Sequence, residues 1–247
     1  MPDKTTSLFQ RKPIVATEPH TQRTALVAGA TGLVGRECLR LLANDDEITE
    51  VRALVRRPLP PESTGPRIRE CRSDFERLSD HPDWFQVDWV FCALGTTIAK
   101  AGSRTAFRHV DYEYPLAIIR AALAQGASHV LLVSSMGANP RSPFFYYRVK
   151  GELEDAVHAL GCPSLTIAHP GLLLGEHNGE WRAGEEFAKR VAWLMPERWR
   201  PVHASQVASA LVRAAHGPVF GTLILENAVL RTYQMPDAIN RKETLHD

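Results

Sequence analysis

The chain has 247 residues, a length typical of one large α/β domain with a sizeable core. Its 29 basic and 28 acidic residues leave a formal net charge of +1, so we expect neither nucleic acid nor an anionic membrane as a partner. Four widely spaced cysteines lack a metal-site pattern, which predicts free thiols and no bound metal. No apolar run approaches the ~18 residues that span a bilayer, and no signal-peptide segment is evident. These features predict a cytoplasmic protein.

The polarity of the two ends of the chain sets the expected domain organisation. Residues 1–22 contain three prolines and show no periodicity, which predicts a flexible extension. Residues 23–228 are expected to form one nucleotide-binding domain, whose last part, about 172–228, makes a small lobe on the substrate side. Residues 229–247 are polar and are expected to form a tail.

A glycine-rich turn follows the first apolar segment. Ala25–Ala28 has the composition of a buried strand, three glycines then recur at a G-x-x-G-x-x-G spacing, and a helical pattern follows. Strand, glycine turn and helix in this order are typical of a dinucleotide site, because the glycines allow a tight turn and a close approach of the diphosphate. A glycine-rich loop without a ligand is the alternative. The expected cofactor contacts here are Gly29, Thr31, Gly32, Leu33, Val34 and Gly35.

The second predicted strand lies within Glu50–Pro58. Two arginines stand at its carboxyl end, before Pro58. A carboxylate at this position would bind the ribose hydroxyls of NAD, whereas arginine suits the 2′-phosphate of NADP. Arg56 and Arg57 therefore predict NADP(H) in preference to NAD(H). The alternative interpretation is an exposed basic strand end.

The ends of the third and fourth strands supply further candidate cofactor contacts. Ile68–Cys71 predicts the third strand, and the Asp74 and Phe75 that follow it either lie beside the adenine or cap a local turn. Val87–Cys92 predicts the fourth strand, and small or hydroxyl-bearing residues follow it at the edge where α/β sheets bind ligands. The expected contacts in that loop are Leu94, Gly95, Thr96 and Thr97.

The order of strands and helices predicts the fold class. A helix is predicted over residues 104–125, and the fully apolar segment 130–133 is typical of a central parallel strand. Further segments predict a sixth strand at 165–168, a helix at 204–216 and a late strand at 222–225. This alternation indicates an α/β protein with a Rossmann-type doubly wound parallel sheet and a small C-terminal substrate-side lobe.

Three residues after the fifth strand have the chemistry for hydride transfer to a carbonyl. Tyr146 and Lys150 lie four apart on one predicted helix, and a lysine cation lowers the pKa of a nearby tyrosine from its usual ~10. A serine hydroxyl at the end of the strand can bind the substrate carbonyl. Either Ser134 or Ser135 suits that role, and we favour Ser135 because it stands further beyond the strand. Tyr147 is the rival tyrosine, but its i+4 residue is a glycine.

With these motifs in place, the chain resembles the atypical branch of the short-chain dehydrogenase/reductase superfamily. It is most similar to the Tat-interacting-protein (CC3-like) subfamily, over about residues 24–228. The resemblance implies a Rossmann fold, bound NADPH and a catalytic Ser–Tyr–Lys set at Ser135, Tyr146 and Lys150; it implies no substrate. The segments that carry it are Phe91–Thr97, Lys100–Gly102, Val110–Asp111, Ser134–Ala138 and Tyr146–Glu152.

One position departs from the family pattern. After the sixth strand, relatives usually have Arg-Pro-Gly, whereas this chain has His169, Pro170 and Gly171. Histidine titrates near neutrality, so the substitution either weakens a contact with an anion or leaves His169 to bond nearby backbone, which we favour. Pro170 is expected to contact the cofactor. The aromatic-rich stretch 172–202 either lines an apolar pocket or forms the core of the lobe.

These features predict an NADPH-dependent oxidoreductase in which Tyr146 protonates a small-molecule carbonyl, Lys150 supports Tyr146 and binds the nicotinamide ribose, and Ser135 orients the carbonyl. The alternative is a regulatory protein that binds NADPH and acts through a protein partner without turnover. Nucleotide-sugar epimerisation is disfavoured because the C-terminal part is short for such a substrate lobe. A homodimer or a protein partner is possible by analogy with related folds.

Overall fold

The computed structural model describes residues 22–175, 199–218 and 220–234. Nearly all of the predicted N-terminal extension, most of the aromatic-rich stretch 172–202 and the end of the predicted tail lie outside these residues. Within the described residues, no helix is both long and apolar enough to cross a membrane.

The described residues contain nine strands, seven of which form one parallel sheet. The strands are β1 (Arg23–Ala28), β2 (Ile48–Val55), β3 (Ile68–Arg72), β4 (Trp89–Cys92), β5 (His129–Val133), β6 (Ser164–His169), β7 (Leu173–Leu174), β8 (Val202–His203) and β9 (Gly221–Glu226). The main sheet has the order β3-β2-β1-β4-β5-β6-β9, and β7 pairs with β8 separately. The strand order reverses between β1 and β4, where open α/β sheets bind ligands at the carboxyl ends of their strands.

Helices cover both faces of this sheet. They are α1 (Leu33–Ala43), α2 (Ile98–Ala101), α3 (Arg104–Arg108), α4 (Tyr114–Ala124), α5 (Phe145–His158), α6 (Ala204–His216) and α7 (Asn227–Leu230). Residues of α1 and α6 pack into the core on one face, and residues of α4 and α5 pack into the core on the other. The predicted Rossmann-type doubly wound sheet is confirmed. Cys38, Cys71 and Cys92 are buried free thiols within these cores.

The predicted helix over residues 104–125 is present over 104–124, but it is not one uninterrupted α-helix. A π-helical turn, His109–Glu113, separates α3 from α4. Pro115 has no N–H with which to reach the carbonyl of Asp111, so the regular hydrogen-bond ladder is interrupted there. The turn leaves the Asp111 side chain fully buried. This local irregularity creates an internal carboxylate that an uninterrupted helical pattern does not predict.

The C-terminal described segment is held to the main sheet. The side-chain Oδ1 of Asn227 accepts a hydrogen bond from Gly171 N–H at 2.8 Å, and its Nδ2 donates to the carbonyl of Arg200 at 2.8 Å. Asn227 and Leu230 are both buried. Helix α7 therefore includes the first two residues, 229 and 230, of the stretch that was predicted to be a polar tail.

Candidate functional site

The glycine turn between β1 and α1 lies against the end of β4. Gly29 has φ 85°, and a Cβ atom there would lie 2.6 Å from the carbonyl oxygen of Ala93. A Cβ on Gly35 would lie 2.1 Å from the carbonyl oxygen of Gly29. Any larger residue at either position would force the backbone apart. The N-terminus of α1 is thereby held at the switch point of the sheet, where its free N–H groups suit a dinucleotide diphosphate.

The other residues of the turn differ in what they can offer a ligand. A Cβ on Gly32 would meet only the Gly29 carbonyl oxygen, at 3.3 Å, so the space beyond it is open. Thr31 is exposed and Val34 is buried, so Val34 can contribute only its backbone. Leu33 is half-buried, and its side chain packs beside Gly175 just after β7. The turn therefore combines an open backbone surface with an apolar wall.

The two arginines after β2 are exposed. Among the described residues, neither guanidinium has a carboxylate partner within 4.0 Å. The Arg56 guanidinium lies 5.9 Å from the centre of the Phe75 ring, which supports it through a cation–π contact. Both arginines therefore have donors available for an anion at the carboxyl end of β2.

The loop after β3 has an unusual backbone. Phe75 has φ 74°, a strained value for a residue other than glycine, while its side chain is buried against Tyr114 with ring centres 5.5 Å apart. The Asp74 carboxylate accepts a hydrogen bond from Glu76 N–H at 3.0 Å. The structure therefore supports the turn-capping interpretation of Asp74 and gives the buried Phe75 ring a packing role beneath Arg56.

The loop after β4 lies against two buried charged residues, Asp111 and Lys150. Thr96 N–H donates to Asp111 Oδ2 at 2.8 Å, and a Cβ on Gly95 would lie 3.5 Å from Asp111 Oδ1 and 3.6 Å from Lys150 Nζ. The hydroxyl of Thr97 accepts from Lys100 N–H and so caps α2. Leu94 packs against the core on the α4 side of the sheet. This loop brings its backbone close to the polar centre of the site.

Lys150 and Asp111 form a buried ion pair. The distance from Lys150 Nζ to Asp111 Oδ1 is 2.7 Å. Burial opposes the charged ammonium, but the Asp111 carboxylate and then the Tyr146 hydroxyl outweigh that effect, so the pKa of Lys150 is raised and the side chain is a cation. Sequence reasoning missed Asp111 as a site residue; the available signal was an acidic residue four positions before Pro115 inside an apolar helical pattern.

Tyr146 lies one turn before Lys150 on α5, half-buried and packed against Phe107 at 5.6 Å between ring centres. The loop between β5 and α5 packs tightly onto this helix, since a Cβ on Gly151 would lie 2.3 Å from the backbone nitrogen of Pro140. Ser135 belongs to the same loop. The structure therefore brings the loop that carries Ser135 and the helix that carries Tyr146 and Lys150 to one edge of the sheet.

The two candidate serines differ in their contacts. The Ser134 hydroxyl is buried and donates a hydrogen bond to Glu154 Oε1. The Ser135 hydroxyl is half-buried and makes only a long bond, 3.3 Å, to the carbonyl of the adjacent Met136. Of the two hydroxyls, that of Ser135 is the more accessible and the more weakly bonded.

His169 contacts carboxylates and not the backbone groups favoured from the sequence. Its Nε2 lies 2.9 Å from Glu154 Oε1, and its Nδ1 lies 3.5 Å from Glu226 Oε1. The adjacent Pro170 is buried, and its carbonyl accepts a hydrogen bond from Met136 N–H at 2.9 Å. The backbone prediction failed because the two carboxylates come from α5 and β9, which are distant from His169 in sequence.

This arrangement is that of a NAD(P)-binding Rossmann protein of the short-chain dehydrogenase/reductase type, and comparison with known proteins agrees. The family described as NAD(P)H-binding matches residues 29–218. The chain belongs to this family. It is 34% identical over 194 residues to protein HTATIP2 of Rattus norvegicus, covering 78% of this chain and 79% of that protein. The resemblance to the CC3-like subfamily is therefore confirmed.

A relative from a fungus corrects the predicted location. The chain is 32% identical over 213 residues to "Protein FMP52, mitochondrial" of Candida albicans, covering 81% of this chain and 91% of that protein. The Saccharomyces cerevisiae relative of the same name is also called mitochondrial. The prediction of a cytoplasmic protein, which rested on missing targeting signals, is contradicted by these relatives and is wrong.

A solved structure shows the same fold. The UDP-glucose 4-epimerase of Thermus thermophilus, in complex with NAD, superposes with a TM-score of 0.65 at 17% identity, over 84% of this chain and 81% of that chain. At this identity the likeness concerns the fold.

Proposed function

We propose that this protein is an NADPH-dependent oxidoreductase that reduces a carbonyl group of a small molecule. The observation that carries the proposal is the position of Lys150, whose Nζ lies beside Gly95 in the cofactor loop and one helical turn from Tyr146. A buried cation between a dinucleotide site and a tyrosine hydroxyl is the arrangement that proton-coupled hydride transfer requires.

The residues present fit a dinucleotide with a 2′-phosphate. The absence of side chains at Gly29, Gly32 and Gly35 leaves a backbone cradle for the diphosphate. Arg56 and Arg57 stand exposed at the end of β2, where the ribose of the adenosine half binds in this fold. Guanidinium donors form strong charge-assisted hydrogen bonds with phosphate, so we expect NADP(H) to bind more tightly than NAD(H).

The catalytic roles follow from the three side chains. A bound nicotinamide supplies a hydride to the carbonyl carbon. Tyr146 donates a proton to the carbonyl oxygen, and Ser135 orients that oxygen with a hydrogen bond. The Lys150 cation stabilises the negative charge that develops on the Tyr146 oxygen and binds the ribose hydroxyls nearby.

Asp111 has a positioning role in this scheme. It pairs with Lys150 through one carboxylate oxygen and accepts Thr96 N–H through the other. The carboxylate therefore keeps Lys150 charged despite its burial and fixes the cofactor loop relative to α5. The same residue connects the cofactor site to the catalytic helix.

The proposal is tested with the purified protein and a panel of aldehydes and ketones. NADPH is expected to raise the melting temperature more than NADH at equal concentration, because a ligand that binds only the folded state stabilises it. NADPH oxidation is expected with at least one carbonyl, and Tyr146→Phe is expected to lower turnover by about 100-fold or more.

Tyr147→Phe is the matched control for that substitution. Tyr147 is the neighbouring tyrosine, and its ring packs against Gly137. A Cβ atom on Gly137 would lie 3.6 Å from the Tyr147 ring. Loss of its hydroxyl should leave turnover close to wild type. Equal activity of the two variants would rule out Tyr146 as the proton donor.

A second candidate is a regulator that binds NADPH without turnover. The observation in its favour is the 2.7 Å contact between Asp111 and Lys150, because the carboxylate partly cancels the electrostatic effect of the cation on Tyr146. This function predicts tight NADPH binding with no NADPH oxidation across the panel. It also predicts that Tyr146→Phe leaves any phenotype that depends on NADPH binding unchanged.

A further inference from the structure

Three hydrogen-bonded side chains, Ser134, Glu154 and His169, form a cluster beside the proposed catalytic residues, and a fourth, Glu226, lies within ion-pair distance of His169. Glu154 Oε1 accepts from the Ser134 hydroxyl and lies 2.9 Å from His169 Nε2, while the other ring nitrogen of His169 lies 3.5 Å from Glu226 Oε1. Ser134 and His169 are each at least nine-tenths buried, and only Glu226 has a largely exposed side chain, at 61%. The cluster therefore joins the carboxyl ends of β5, β6 and β9 to α5.

The electrostatic environment of His169 favours the imidazolium. Burial opposes the charge, but hydrogen bonding to Glu154 and the charges of Glu154 and Glu226 outweigh burial, so the pKa of His169 is raised above its ordinary 6.5. These two carboxylates are the charged groups that pair with the ring from the elements packed against it, α5 and β9. A protonated ring has an N–H on both nitrogens, one toward Glu154 and one toward Glu226, whereas a neutral ring has an N–H on only one.

Three members of the cluster, Glu154, Ser134 and His169, adjoin residues of the proposed site. Glu154 lies one turn beyond Lys150 on α5, and Ser134 directly precedes Ser135. His169 directly precedes Pro170, whose carbonyl accepts Met136 N–H at 2.9 Å. The cluster thus links three segments: the proposed catalytic helix α5, the loop after β5 and the loop after β6.

We propose that His169 and Glu154 are a positioning pair, and that the protonated ring holds the Pro170 segment against the catalytic helix in the arrangement that binds NADPH. The proposal rests on the proposed function, since Pro170 is an expected cofactor contact. Loss of the proton releases one carboxylate and loosens the loop after β6. NADPH affinity is therefore high while the ring is charged and declines when the ring is neutral.

The direction of the pH dependence follows from the raised pKa. The stabilising contribution of the imidazolium is fully present below the unfolded value of about 6.5 and is lost as the pH rises through the higher folded value. Because the proposal makes the charged ring the state that favours the NADPH-binding arrangement, NADPH affinity should decline over the same range, on the alkaline side of neutrality.

Two substitutions of His169 set the limits of this behaviour. His169→Arg replaces the ring with a permanent cation, and His169→Gln replaces it with a neutral side chain that still donates one hydrogen bond. The dissociation constant of NADPH is measured by titration calorimetry from about pH 6 to about pH 9, around the range in which histidine titrates. At each pH the constant is divided by that of His169→Arg, which cancels the titration of the NADPH phosphate itself.

The wild-type protein is expected to match His169→Arg at low pH and His169→Gln at high pH, with about a tenfold difference in the dissociation constant between the two limits, the usual effect of losing one charge-assisted hydrogen bond. Glu154→Gln should abolish the change, whereas Glu152→Gln should preserve it, because Glu152 on the same helix pairs with Arg108 outside the cluster. A constant ratio for the wild type would overturn the positioning role while leaving NADPH binding intact. Absence of NADPH binding in every variant at every pH would instead overturn the proposed function.

If His169→Arg does not fold, the same comparison is made between wild type and His169→Gln. Their constants should differ at low pH and converge at high pH. Identical constants at low pH would overturn the proposal. His158→Gln, which alters an exposed histidine on α5, should retain the wild-type profile.

Discussion

Lys150 Nζ lies 2.7 Å from Asp111 Oδ1, in a pair whose side chains are only 4% and 0% exposed. The carboxylate is on the π-helical turn between α3 and α4, and its second oxygen accepts Thr96 N–H at 2.8 Å. One buried acid therefore connects helix α5, the π-helical turn and the loop after β4. Neither charge is solvated by bulk water, so each depends on the other for stabilisation.

Asp111→Asn is expected to lower the free energy of unfolding by about 3 kcal/mol, because it leaves a buried ammonium without a counter-charge. Lys150→Met should cost a similar amount by leaving a buried carboxylate. Urea unfolding of both variants measures these losses.

The double variant Asp111→Leu/Lys150→Met is the control for this pair. It removes both charges of the pair. Its free energy of unfolding should therefore fall by less than the sum of the losses in the two single variants. Strict additivity of the single effects would contradict the ion pair as the source of the loss.

Substitutions of two glycines of the turn are expected to have different effects, one on protein stability and the other on NADPH binding. Gly35→Ala should destabilise the protein by about 3 kcal/mol or more, because its Cβ would lie 2.1 Å from the Gly29 carbonyl oxygen. Gly32→Ala should fold, since its nearest neighbour is at 3.3 Å, but it should weaken NADPH binding by about tenfold or more through loss of the open backbone surface. Thermal unfolding and NADPH titration distinguish the two effects.

Gly65→Ala is the matched control, because the nearest atom to its Cβ would be 3.9 Å away. It should change neither melting temperature nor NADPH affinity appreciably. A Gly32→Ala protein with wild-type NADPH affinity would contradict the placement of the diphosphate at this turn.

Arg56→Ala is expected to remove most of the preference for NADPH over NADH, weakening NADPH binding by about tenfold or more, the usual effect of losing one charge-assisted contact. NADH binding should change little, because NADH has no 2′-phosphate. Dissociation constants for both cofactors measure the ratio. Arg120→Ala, which removes an exposed arginine from α4, should leave the ratio unchanged; an unchanged ratio in Arg56→Ala would exclude this residue as the phosphate contact.

His129 is expected to make the protein less stable in acid. Burial lowers its pKa to about 4, only partly offset by a hydrogen bond to the Ala215 backbone, and its Nε2 lies 2.9 Å from Thr166 Oγ1. Between the ordinary value of 6.5 and this lower value, the unfolded chain binds a proton that the folded chain does not, so stability falls as the pH falls. The loss across this range is up to about 3 kcal/mol.

Unfolding free energies of the wild type and His129→Gln, measured across the same pH range, isolate this effect. The variant should lose less stability in acid than the wild type. His158→Gln supplies the control, since that histidine is exposed. Parallel pH curves for the wild type and His129→Gln would show that His129 does not titrate in this way.

The features that depend on local spacing could be predicted from the amino-acid sequence. The glycines at 29, 32 and 35 predict a strand–turn–helix unit because backbone freedom is needed at those positions, and the apolar strands predict a buried parallel sheet. The spacing of Tyr146 and Lys150 places them on one helical face because an α-helix repeats every 3.6 residues. All of these follow from interactions between residues close in the chain.

The pairing of polar groups depends on the folded arrangement and could not be predicted from the sequence. Asp111 is buried beside Lys150, Ser134 is engaged by Glu154 while Ser135 is not, and His169 lies between two carboxylates. These contacts join elements that are far apart in the sequence and meet only at the carboxyl edge of the sheet. Periodicity assigns a residue to a face of its own helix or strand, but the strand order and a π-helical turn determine which faces meet and therefore which charges are neighbours.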